Sequence, residues 1–145
     1  MVTIPNEVMF LVNDPKASKT ISTISMEGRI HTIYMGSMMA ISPDQLAFAH
    51  ILMKRTNQNL GEMKGRGDLV SVSVTLGQVS YEIMAKVEEY QTSGPAYDTI
   101  IEALKLSGVK EGLDKYGMKV HGVWVLEPVE VWNESPGPSA GTRVV

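Results

Sequence analysis

Two segments that alternate residue by residue, two residues apart, constrain this chain more than anything else in it. In "DLVSVSVTL", Val70, Val72, Val74 and Leu76 fall on one face and Leu69, Ser71, Ser73 and Thr75 on the other. After Gly77-Gln78, "VSYEIMAKVEEY" repeats the pattern, with Val79, Tyr81, Ile83, Ala85 and Val87 on the inner face. A side-chain period of two belongs to a strand with one buried face. Two such strands joined by a Gly-containing pair of residues predict an antiparallel hairpin. The fold must be built around it.

The remaining elements follow from the same reading. Pro5 to Val12 predicts a short helix with Val8, Leu11 and Val12 on one side, stopped by Asn13-Asp14-Pro15. "KTISTISM" and "RIHTIYMGSMMAI" are rich in β-formers and joined by Met26-Glu27-Gly28-Arg29, and a third strand is expected over Gln45 to Ile51. These three strands predict an antiparallel meander. A weak helix is expected from Asn57 to Lys64, with Leu60 and Met63 buried, ended by Gly65 and Gly67. The strongest helical pattern opens at Pro95 and runs Tyr97, Ile100, Ile101, Leu104 to a stop at Gly108, with a further helical turn near Lys110 to Tyr116. "MKVHGVWVLEPVEVW" predicts the last strand, with Trp124 and Trp132 on one face. The expectation is a mainly β domain over residues 1–133, six antiparallel strands in a closed or nearly closed barrel with flanking helices. Residues 134–145, rich in Pro, Gly and Ser, are expected to be a loop or an arm. Alternating βαβ units are absent, which argues against a parallel nucleotide-binding sheet.

Composition narrows the function. With 145 residues, 43% hydrophobic and 20% charged, the chain has enough apolar material for one cored domain. The net charge of -3 argues against a nucleic-acid partner. No run approaches the roughly 18 apolar residues of a membrane span, and the N-terminus lacks the pattern of a signal peptide, so a soluble cytoplasmic protein without a membrane partner is expected. The absence of cysteine removes disulfides, zinc thiolates and thiol nucleophiles. His31, His50 and His121 have no metal-ligand spacing, so no metal site is expected; only His50, at a strand end, is held as a pocket residue. Arg66-Gly67-Asp68 and Asn133-Glu134-Ser135 match an adhesion tripeptide and a glycosylation sequon, motifs too short to carry weight here.

Two places remain for chemistry. "MKRTNQNL" sets Lys54 and Arg55 before Thr56, which can serve as N-cap of the helix it precedes. Free N–H groups at a helix start attract anions, and Arg can grip two phosphate oxygens. The segment reads either as a solvated turn or as a phosphate socket. In "HTIYMGSMMA", Gly36 and Ser37 fall mid-strand among Met35, Met38 and Met39. That reads either as a Met-rich core or as a strand that something flat approaches closely.

In their order, "STISMEGRIHTIYMGSMMAI", "LAFAHILMKRTNQNL", "LVSVSVTLGQVSYEIMAKVEEYQTSGPAYD" and "VHGVWVLEPVEVW" resemble the FMN-binding split-barrel superfamily, the pyridoxamine 5'-phosphate oxidase-like group and especially its small FMN-binding members. The resemblance spans most of the chain. It implies a homodimer with FMN at the subunit interface, the phosphate on Lys54, Arg55 and Thr56 with Asn59 nearby. The flavin ring is implied along the second and third strands near Tyr34, Met35, Gly36, Ser37, Ala49 and His50. An FMN-dependent oxidoreductase or electron carrier is implied, of flavin reductase or oxidase type, with a nicotinamide or a protein as electron donor. Two departures stand out: Tyr34-Met35-Gly36 lacks the amide or large aromatic of some small members, and no motif for binding pyridoxine phosphate is present. The rivals are a deazaflavin or haem in the same barrel, where His50 or His121 would matter, and a cofactor-free dimer serving as a binding or regulatory module.

Overall fold

The computed structural model describes residues 2–145. In chain order the elements are α1 (Asn6–Val12), β1 (Ser18–Ile24), β2 (Ile30–Tyr34), β3 (Met39–Ser42), β4 (Gln45–His50), α2 (Lys54–Arg66), β5 (Leu69–Leu76), β6 (Val79–Gln91), α3 (Pro95–Leu106), α4 (Val109–Lys115), β7 (Gly122–Asn133) and β8 (Thr142–Arg143). All strand pairs are antiparallel, in the order β2-β1-β5-β6-β7-β4-β3, with β8 on β7.

The central hairpin follows the alternation in its middle, but Val79 at the turn is exposed and Leu76 and Tyr81 are only half-buried. Leu76 pairs with Val79 across Gly77-Gln78, and Val70, Val72, Val74, Ile83 and Ala85 are fully buried. Each such side chain stabilises the fold by about 1.5–3 kcal/mol, less for Ala. At the β1–β2 turn Gly28 has φ 81°, a left-handed value that disfavours any side chain.

Several expectations need correction. Among the described residues the strands number eight, not six, and the sheet is not closed: β2 and β3 each keep a free edge. "RIHTIYMGSMMAI" is not one strand, because the chain turns at Met35–Met38. Met35 N donates to Lys19 O (2.8 Å) and Met38 N to Met35 O (3.2 Å), so Gly36 and Ser37 lie in a turn. The meander therefore ends after β2. β3 and β4 form a second hairpin at the opposite end of the sheet, where β4 pairs with β7. Asn13, just past α1, holds β3 in place by exchanging two hydrogen bonds with the Ala40 backbone (2.8 and 3.1 Å), as a neighbouring strand would.

The sheet curls so that both ends share one core. Ile21 of β1, Phe48 of β4 and Leu126 of β7 belong to the same buried cluster, stoppered by Val8 and Val12 of α1 and by Leu60 and Met63 of α2. On the outside of β4 and β7, Ala47, Ala49, Val123 and Val125 are covered by Ala96, Ile100 and Leu104 of α3. Buried on both faces, β4 loses the polar alternation of a half-exposed strand. Tyr97 and Ile101, expected in the α3 stripe, are only half-buried, and Gly108 begins α4 rather than ending α3, whose C-cap is Ser107.

Trp124 and Trp132 do not share a face. Ala85 pairs with Pro128 but Met84 with Glu130, so Val129 is an extra residue that reverses the parity of β7. Val131 consequently joins Trp124 and Leu126 in the core, and Trp132 turns outward to Glu130. Residues of the tail fold back onto their own chain: Val144 N donates to Val131 O (2.7 Å), and β8 pairs with Trp132 and Asn133. Among the described residues, no helix is long and apolar enough to cross a membrane. The Arg66-Gly67-Asp68 tripeptide closes α2, with Arg66 and Asp68 paired at 2.7 Å.

Candidate functional site

α2 begins three residues earlier than expected. Its N-cap is Met53, which makes no side-chain cap bond, and Thr56 lies inside the first turn rather than capping it. The first helical hydrogen bond runs from Asn57 N to Met53 O (2.7 Å), which leaves the N–H groups of Lys54, Arg55 and Thr56 outside the ladder. The Lys54 and Arg55 side chains are exposed. Thr56 is buried, and its Oγ1 has no hydrogen-bond partner among the described residues. A helix of thirteen residues thus starts with three free N–H donors, two cations and an orphaned hydroxyl. Such a start is an anion site in waiting.

This turn is fixed from two sides. Trp124 Nε1 donates to Asn57 Oδ1 (2.9 Å), and Asn59 Nδ2 donates to Thr23 Oγ1 (3.0 Å). Asn59 is buried and ties α2 to β1. The Arg55 side chain, with Asn59, borders a small pocket of about 180 Å³ that also contains Arg29, Glu27 and Glu62. Two guanidiniums face two carboxylates there, so the pocket has no clear preference for an anion.

The residues immediately before Lys54 belong to a larger cavity. Ile51, Leu52 and Met53 help to line an open groove of about 600 Å³. Its other walls are the Met35–Met38 turn with Tyr34, Met39 and Ala49 on the sheet side, and Ile100 and Leu104 of α3. Five of the ten predicted site residues, Tyr34, Met35, Gly36, Ser37 and Ala49, therefore meet in one place. Ser37 Oγ accepts from Ala49 N (2.9 Å), which locks the turn against β4. Tyr34 is 65% exposed and Leu52 76%, an apolar rim left open to contact. Gly36 is close to Tyr34: a Cβ would sit 3.2 Å from the Tyr34 ring.

His50 does not line the groove. Its Nδ1 lies 2.8 Å from the Tyr90 hydroxyl, and its ring is 5.0 Å from that of His121. The two histidines, unrelated in spacing, are joined because β4 pairs with β7 and His121 N donates to His50 O (2.8 Å). Burial first, and the charge of His121 second, lower the His50 pKa below its ordinary value of 6.5. Burial raises that of Tyr90 above 10.0. His50 is thus a neutral partner of a phenol at neutral pH. Among the described residues no three His, Asp or Glu side chains converge as a metal site would require.

One residue at the groove escaped notice in the sequence. Lys19 lines it, is only 6% exposed, and donates from Nζ to Val12 O (3.1 Å) and Met38 O (2.7 Å). The signal was present: Lys19 has the same parity in β1 as buried Ile21 and Thr23.

The architecture is that of a split barrel: a curled antiparallel sheet plugged by helices, with an apolar groove that ends at a cationic helix start. Among solved structures the chain resembles an FMN-binding protein from Syntrophomonas wolfei (17% identity, 88% of this chain and 83% of that one, TM-score 0.74). It also resembles HupZ of Group A Streptococcus (17% identity, 95% and 99%, TM-score 0.68). A third likeness is the styrene monooxygenase flavin reductase of Pseudomonas putida (12% identity, 92% and 88%, TM-score 0.51). The identities are low, and what is shared is the fold. No protein-family model matches the chain. No curated protein matches it either.

Proposed function

We propose that this chain is an FMN-binding flavoprotein, an oxidoreductase or electron carrier that works as a homodimer with the flavin between subunits. The observation that carries the reading is the start of α2: three N–H groups outside the ladder, Lys54, Arg55 and the orphaned Thr56 Oγ1, directly following the groove residues Leu52 and Met53. The donor set fits a phosphate ester and the apolar groove fits a flat ring system. The fold shared with an FMN-binding protein and a flavin reductase supports the same choice.

When bound, FMN supplies hydride or single-electron transfer, from a nicotinamide or a protein donor. The chain's own residues bind and orient it. The α2 start holds the phosphate by N–H donation and charge. Met35 and Ala49 give the ring an apolar bed from which water is excluded, and the backbone of the Gly36-Ser37 turn can come close because Gly36 carries no side chain. A partner subunit covers the exposed Tyr34 and Leu52. No side chain acts as general acid or base in this scheme.

The test is the absorption spectrum of protein purified without added cofactor, with acid-released chromophore identified by mass. Yellow protein releasing FMN is expected, and Arg55→Ala/Thr56→Ala should lose it. Colourless protein that fails to take up added FMN would sink the reading.

A further inference from the structure

We propose that the groove selects molecules with an apolar body and one anionic group, a carboxylate or a group of like charge, and that Lys19 is the residue that receives that group. As a statement about the substrate it rests on the flavoprotein reading; as a statement about what the groove binds it does not.

The argument begins with an imbalance. Among the described residues, Lys19 is the only Lys, Arg, His, Asp or Glu in the wall of the groove, which is otherwise mostly apolar with a few neutral polar side chains. Its ammonium has three protons. Two go to carbonyl oxygens, Val12 O at the end of α1 and Met38 O in the turn after β2. No carboxylate lies within ion-pair distance of Lys19 among the described residues. The carboxylate whose charge influences it, Asp14, accepts from the backbone N of Lys16 (2.8 Å).

A cation held only by carbonyl dipoles keeps most of the cost of leaving water. Burial accordingly lowers the Lys19 pKa, and Asp14 only partly restores it. Dipoles orient an ammonium but do not neutralise it. An anion arriving in the groove would do so in a poorly solvated setting, where a charge-assisted hydrogen bond is roughly twice as strong as a neutral one. A neutral ligand of the same shape gains the apolar contacts alone. The groove thus discriminates by charge as well as by shape.

Lys19 also has a structural duty, since it joins the end of α1 to the Met35–Met38 turn. A role limited to that joint predicts no effect on charge preference. The two roles are therefore separable by ligands that differ only in charge.

The experiment is calorimetric titration of the full chain, freed of any bound flavin, with cinnamate and with cinnamyl alcohol. Cinnamate should bind at least about tenfold more tightly. The preference should vanish in Lys19→Met, with the alcohol's affinity unchanged, and be largely kept in Lys19→Arg. It should persist in Lys54→Ala/Arg55→Ala, which strips both cations from the proposed phosphate socket, so that failure of the phosphate socket and failure of the Lys19 assignment are told apart. Should Lys19→Met not fold, the comparison of wild type with Lys54→Ala/Arg55→Ala decides: a preference that disappears with the α2 cations overturns the assignment. Equal affinity for acid and alcohol in the wild type overturns it too. So does Lys19→Met protein that releases FMN while still holding riboflavin, because Lys19 would then be a phosphate ligand of the cofactor.

Discussion

The indole N–H of Trp124 donates to the side-chain oxygen of Asn57 across 2.9 Å, joining the central strand β7 to the first turn of α2. The turn that carries Lys54, Arg55 and Thr56 is thus fixed by a buried tryptophan rather than by a capping residue of its own. Trp124→Phe deletes the donor and, by shrinking the buried indole to a phenyl ring, leaves a small cavity. We expect a loss of about 2–3 kcal/mol in unfolding free energy, about 1 from the bond and the rest from lost packing. FMN affinity should fall as well, because the N–H donors are no longer held in one orientation. Urea unfolding and a flavin titration read the two effects; unchanged FMN affinity would show that the bond serves stability alone.

Thr56 predicts effects of opposite sign in the two states of the site. Its buried hydroxyl lacks a partner, which costs about 1–3 kcal/mol. Thr56→Val replaces it with a methyl group of similar shape. Without flavin the variant should be as stable as wild type or up to about 1 kcal/mol more so. With saturating FMN the order should reverse, since the phosphate loses a donor and affinity drops about fivefold to tenfold. Thermal melts with and without FMN decide it, and a variant more stable in both conditions would remove Thr56 from the site.

How much of this was readable in the sequence depends on how local each determinant is. The β5–β6 hairpin was legible because alternation and the Gly77-Gln78 turn are contained within it. The division of residues 29–41 into β2 and β3 was not, because both halves favour strand and the break is made by distant partners, Lys19 O and the Asn13 amide. The face of Trp132 was misread for a similar reason: the bulge at Val129 is set by pairing with β6, next to Pro128. In the candidate site, Tyr34 to Ser37 and Ala49, expected along the ring, line one groove, and Lys54, Arg55 and Thr56, expected at the phosphate, share the first turn of α2. His50 was taken for a groove residue, whereas strand pairing gives it to Tyr90 and His121. Asn59 was expected near the phosphate, but its side chain is engaged by Thr23.

Gly122 predicts a clash that no sequence pattern signals. It pairs with His50, and the Tyr90 ring lies directly on its backbone, so a Cβ there would overlap the ring and hydroxyl. Gly122→Ala should destabilise the chain by about 1–3 kcal/mol, the range for overpacking. Tyr90→Ala should relieve the overlap, so the double variant should be less destabilised than the two single losses added together. Chemical unfolding of the four proteins measures the coupling. Simple additivity would mean that Tyr90 swings away at little cost.

His50 predicts the direction of a pH response. Burial, and then the charge of His121, hold its folded-state pKa below 6.5, so the unfolded chain binds this proton more readily than the folded one. Stability from this group is therefore fully present above about 6.5, declines as pH falls from there to the folded-state pKa, and is constant below it. Once protonated, the imidazole donates from Nδ1 and no longer accepts from Tyr90, whose phenol stays protonated throughout because burial raises its pKa. Titration followed by the imidazole NMR signal should give His50 a midpoint below that of a free histidine. His121→Asn removes one of the two causes and should move that midpoint upward, while leaving it short of 6.5 because the larger cause, burial, remains. A midpoint that does not move in His121→Asn would mean that the two rings, 5.0 Å apart, do not sense each other's charge.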